Sequence, residues 1–119
     1  MKIRTAQMQI LQQSLVQRFA KVLSMKLRSD FPEQTSAHGD PSLLERVESA
    51  IVRARSYGLW RDKDVTAFVR LTVVIAPNFD RHRPINEVLT STDIADEEKV
   101  SVLFASVSEF EWALAAFYR

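Results

Sequence analysis

Apolar residues that recur every three or four positions, in one long stretch after another, constrain this chain more than any other feature. Met8, Leu11, Leu15, Phe19 and Val22, continued by Met25 or Leu27, form the first such stripe. Gln12, Gln13, Gln17, Arg18, Lys21, Lys26 and Arg28 supply the polar face. That period belongs to an amphipathic helix, here over about 5–29. Pro32 ends it, because the residue before a proline is pushed out of the helical region. The polar stretch "DFPEQTSAHGDP" then reads as a loop. Asp40 and Pro41 make a helix start, a side-chain acceptor followed by a preset φ. The second helix spans about 41–57 with Leu44, Val47, Ala50, Ile51 and Ala54 inward, and Gly58 closes it.

A third helix is expected over about 62–76, opened by Asp62 and Asp64, which suit the positive end of the helix dipole, and stopped by Pro77. Its interior, "LTVVIA", also fits a short buried strand. Length favours helix, and a strand with no second strand to pair with leaves its backbone groups unsatisfied. Leu71, Val74 and Ile75 make this helix apolar nearly all round, so it belongs in the middle of a bundle. "INEVLTS" adds a short helix, about 85–90. A last helix is expected over about 93–118, capped by Thr92 or Asp93, with a stripe of Val100, Leu103, Phe104, Val107, Phe110, Leu114 and Phe117. With two glycines, the chain has few residues for the positive φ that tight β-turns demand. The expectation is an all-α fold: a compact bundle of four to five helices in a single domain covering 1–119.

The same sequence excludes much chemistry. It has no cysteine, hence no disulfide, zinc-thiolate site or thiol nucleophile. Gly39 and Gly58 belong to no phosphate-binding pattern. His38 and His82 lie in polar loops without metal-ligand spacing and read as solvated. Asp62 and Asp64 are two apart and share no helix face. "DIADEE" lacks the spacing and glycine of a calcium loop. No cofactor, metal or enzyme activity is expected. No continuous apolar run suggests a signal peptide or a membrane span, so the expected location is the cytoplasm. Net charge is +1, without the concentrated basic footprint of a nucleic-acid reader, so a DNA-binding regulator is a remote alternative. Charge is nevertheless segregated. Residues 1–28 carry Lys2, Arg4, Arg18, Lys21, Lys26 and Arg28 and no acid, while 93–111 carry Asp93, Asp96, Glu97, Glu98, Glu109 and Glu111 against Lys99. Either these ends pair, or a charged face steers a partner.

What remains is a surplus of aromatic surface at Tyr57, Trp60, Phe79, Trp112, Phe117 and Tyr118. Residues of this type concentrate the energy of interfaces. With Asp80, the set Tyr57, Trp60, Phe79, Trp112 and Tyr118 forms the candidate partner-binding group. The a/d-like stripe of the first helix also leaves a homodimer across a two-fold axis open.

Two stretches, "RFAKVLSMKLRSDFPEQ" (18–34) and "VESAIVRARSYGLWRDKDVTAFVRLTVVIAPNFD" (47–80), carry a resemblance. Phe31-Pro32 after the first helix, the Tyr57-Gly58 stop, Asp64-Val65 in the next helix and Phe79-Asp80 beyond it resemble a group of small bacterial helical proteins. These are encoded beside type VI secretion effectors and their adaptor chaperones. "INEVLTS" matches a later segment, without the tryptophan usual there, and Ala76 stands where a glycine is common. The resemblance implies a non-enzymatic accessory or co-chaperone that helps load an effector, with the effector or its adaptor chaperone as partner. An immunity protein that blocks a cognate toxin is the alternative, with the acidic 93–111 segment as its contact.

Overall fold

A computed structural model describes the backbone of residues 5–119 and the side chains from Leu15 onward. Every regular element among them is helical: α1 Thr5–Asp30, α2 Pro32–Thr35, α3 Asp40–Ser56, α4 Asp62–Val74, α5 Arg83–Thr90, α6 Lys99–Ser106 and α7 Glu109–Ala115. Two 3-10 turns, Phe79–Arg81 and Asp96–Glu98, join them. The all-α class therefore holds. Residues 62–74 are helix, which removes the strand reading of "LTVVIA". The chain divides into two compact units, Met1–Ile51 and Val52–Arg119.

In the first unit, α1 ends before Pro32 as the proline requires. The expected loop after it holds a short helix instead. Pro32 sits in the first turn of α2, where its missing N–H costs nothing. Thr35 is fully buried, and its hydroxyl donates to the Phe31 carbonyl at 2.8 Å. Arg28 ties the segment down. It donates to the carbonyls of Thr35 and His38 at 3.4 and 2.9 Å and pairs with Asp40 at 3.0 Å. The stripe of α1 is a correction. Ala20, Leu23 and Leu27 are the buried residues, while Leu15, Val22 and Met25 are exposed; Met8 and Leu11 lie outside the described side chains. Of the expected stripe Leu27 is buried and Phe19 half-buried, and packing covers a face that periodicity did not single out. In α3, Leu43, Val47, Ala50 and Ile51 are buried, with Leu44 half-buried.

The second unit begins at Val52, within the last turns of α3. Gly58 has φ +89, and Leu59 donates to the Ala54 carbonyl at 3.1 Å, the closure that a left-handed residue permits. A Cβ on Gly58 would stand 2.6 Å from the Asp96 carboxylate, so a substitution there would also displace that side chain. α4 buries Val65, Phe68, Val69, Leu71 and Thr72 but leaves Val74 exposed. The helix read as apolar all round is thus enclosed on most sides, and its last turn reaches solvent. Phe68 and Phe79 are fully buried with ring centroids 5.1 Å apart; burial of side chains this size stabilises by about 1.5–3 kcal/mol each. α6 packs on α4 and α5, while α7 packs on the 79–81 turn.

The expected last helix over 93–118 is broken. The Asp96–Glu98 turn leads into α6, Val107 is extended, and α7 starts afresh. Ser108 caps α7, accepting from the Glu111 N–H at 3.2 Å. Neither Thr92 nor Asp93 starts a helix, since the first regular turn begins at Asp96.

Candidate functional site

The sequence-selected group separates into buried and exposed members. Asp80 is almost wholly buried. Tyr57 donates its hydroxyl to Asp80 Oδ2 at 2.7 Å, and the Arg53 guanidinium stands 3.3 Å from Oδ1. Arg53 also donates to the Pro77 carbonyl and, at 3.2 Å, to Asn78 Oδ1, and lies 5.6 Å over the Phe68 ring. Asn86 donates to the Asp80 carbonyl at 3.1 Å. The Asp80 carboxylate thereby fastens its turn to the end of α3, Arg53 adds the loop after α4, and the Asp80 carbonyl holds α5 through Asn86. Burial pushes the Tyr57 phenol up to about 12, reinforced by its hydrogen bond to Asp80 and by that group's charge, against the smaller opposing effects of Arg53 and Asn86. Phe79, fully buried, extends the aromatic row from Tyr57 and Phe68 toward Trp112, whose ring lies 6.3 Å away. Phe79 and Asp80 therefore present no surface to a partner.

His82, expected to be solvated, is buried. Its Nε2 lies 2.5 Å from Glu111 Oε2, and its ring stands 5.4 Å from that of Tyr118. With Asn78 donating to the Tyr118 carbonyl at 2.9 Å, these contacts hold α7 and the C-terminal residues on the 79–81 turn. His38 is half-buried between Ser42 and Arg46, 3.3 and 2.7 Å away. Neither histidine gathers further ligands, and among the described residues no three metal-ligating side chains come together. Lys99 is also buried, donating to the Tyr57 carbonyl at 2.7 Å and pairing with Asp96 at 2.9 Å. These polar groups are structural fasteners between elements, each tied to a neighbour, with Asp80 Oδ1 meeting Arg53 as an ion pair and without a hydrogen bond of its own.

The exposed members lie elsewhere. Trp60 is 64% exposed, with the Arg55 guanidinium 4.9 Å over its ring, a cation–π contact worth about 0.5–1 kcal/mol at such a site. Tyr118 is partly exposed, and Trp112 is half-buried with Phe104 stacked on it at 6.0 Å. Phe104, Phe110 and Phe117 are 58%, 69% and 82% exposed. Phe110, Ala113 and Phe117 follow at helical spacing along α7 and its end, all three exposed. Sequence reading placed Phe104 and Phe110 in the core. Phe110 lies past the break at Val107, out of register with α6, while Phe104 sits on the outer side of α6 next to Leu103, which alone of that stripe is deeply buried.

No described helix is long and apolar enough to cross a membrane. Comparison with protein-family models, curated proteins and solved structures finds no match to this chain.

Proposed function

We propose that this chain is a non-catalytic protein–protein interaction module, an accessory or co-chaperone subunit that helps load a type VI secretion effector in the cytoplasm. The observation that carries an interaction role is the aromatic surface of α6 and α7. Phe104 is exposed and stacked on the half-buried Trp112, and Phe110 and Phe117 are exposed together along α7 and its end. Large exposed aromatics mark interaction sites. The secretion setting is supported by the resemblance of residues 18–34 and 47–80. The test is coexpression with the products of the flanking genes, followed by size-exclusion chromatography. A stoichiometric complex is expected, lost in the Phe110→Ser, Phe117→Ser double variant while circular dichroism is unchanged. A complex indifferent to those substitutions, or none, overturns the reading.

The exposed acids Asp93, Asp96, Glu97, Glu98 and Glu109 lie in the same segment. They favour a second reading, an immunity protein whose acidic rim meets a basic toxin. Protection of cells from a flanking-gene toxin selects this reading; loss of effector export on deletion selects the first.

A further inference from the structure

α1 carries two apolar stripes, and the fold buries one. Ala20, Leu23 and Leu27 face inward; on the opposite side Leu15, Val22 and Met25 are in the open, the last two 66% and 75% exposed. With Arg18 these residues stand at alternating intervals of three and four, the a and d positions along which a second helix seats its side chains. Beside Met25 lies a trough of about 770 Å³ between the end of α1 and the start of α3, given an apolar lining by Met25, Pro41, Leu43 and Leu44. Lys21 also lines it, together with Arg28 and Asp40, which pair with each other at 3.0 Å.

Charge decides what fits there. The described length of α1 carries Arg18, Lys21, Lys26 and Arg28 against a single acid, Asp30. Arg18, Lys21 and Lys26 are exposed. A second copy of α1 packed in parallel would set these cations against themselves, which disfavours that pairing. A bilayer surface would meet the stripe but leave the trough unfilled. A helix with a row of apolar side chains and flanking carboxylates satisfies both the stripe and the charge. We propose that this face docks an acidic amphipathic helix of another protein. The surface is distinct from that of α6 and α7, so either can fail without the other.

The test uses the full chain and two labelled synthetic peptides, each of three heptads with leucine at a and d, one with glutamate and one with lysine at e and g. Fluorescence anisotropy is expected to show the glutamate peptide bound at least about tenfold more tightly, with affinity falling as salt rises. Lys21→Glu with Lys26→Glu reverses the order of the two peptides. Met25→Asp weakens the glutamate peptide by about tenfold or more with helical circular dichroism unchanged. Equal binding of the two peptides, or binding of neither, overturns the proposal. So does a dimer in sedimentation velocity that Met25→Asp dissolves. Sedimentation with vesicles of phosphatidylserine and phosphatidylcholine in equal parts, without binding of the glutamate peptide, overturns it as well.

Discussion

Tyr57 donates its hydroxyl to Asp80, a bond that exists only while the phenol keeps its proton. The phenol is raised from 10.0 to about 12 by burial first and by Asp80 second. A group raised on folding contributes stability that is intact below its unfolded value and lost as pH climbs through its folded value. The protein should therefore weaken between about pH 10 and pH 12. Phenolate absorbance should show one of the two tyrosines ionising late, and Tyr57→Phe should remove that late step; a single early transition in the parent protein would refute the assignment. The neighbouring residue makes a second case. Gly58→Ala forces a left-handed φ on a residue with a Cβ, at about 1–2 kcal/mol, and drives that Cβ against Asp96. Asp96 must then move off the buried Lys99, so the loss measured by urea denaturation should exceed the backbone cost alone. Both effects run through distant residues, and only the helix stop at Gly58 is visible in sequence. A glycine after a helical stripe announces a stop, whereas the partners of Tyr57 lie in other elements of the fold.

At the scale of elements, the join between α6 and α7 governs how the aromatic surface is displayed. Ser108 holds the start of α7 by accepting from the Glu111 N–H, and Glu111 in turn reaches His82. Ser108→Ala should cost about 1 kcal/mol. Because α7 is short, the change should appear as faster amide exchange in 109–115 with little effect in α4; uniform acceleration across the second unit would show that α7 does not loosen separately. The spacing Ser108-x-x-Glu111 is a helix-start signature, so this break was legible, but the apolar stripe running through it argues for continuity and hides it. Where punctuation and periodicity agree, as at Pro32, Gly58 and Pro77, element boundaries follow from sequence alone. Where two stripes share one helix, as in α1, the more obvious one need not be the one covered, and only packing decides. The burial of Asp80 and His82 was illegible for a third reason. Both sit in a stretch as polar as any loop, and their partners Arg53, Tyr57 and Glu111 lie far along the chain.

For the whole molecule, charge balance and exposed apolar surface act on the same property. Sixteen basic residues stand against fifteen acids, giving a net charge of +1 and an isoelectric point near 8.1. Little net repulsion keeps copies apart near that pH. Phe104, Phe110, Phe117, Val22 and Met25 are exposed at the same time, and apolar surface of this kind favours association when repulsion is weak. Solubility should pass through a minimum close to the isoelectric point. The two causes separate by substitution. Phe110→Ser with Phe117→Ser leaves the charge untouched, so the minimum should stay at the same pH and become shallower. Lys26→Glu removes one cation and adds one anion, taking the net charge from +1 to −1; its minimum should move to lower pH with its depth preserved. Polyethylene glycol precipitation across a pH series reads both displacements. A minimum that Lys26→Glu fails to move, or a depth that the serine pair fails to reduce, would assign the behaviour to surfaces other than these.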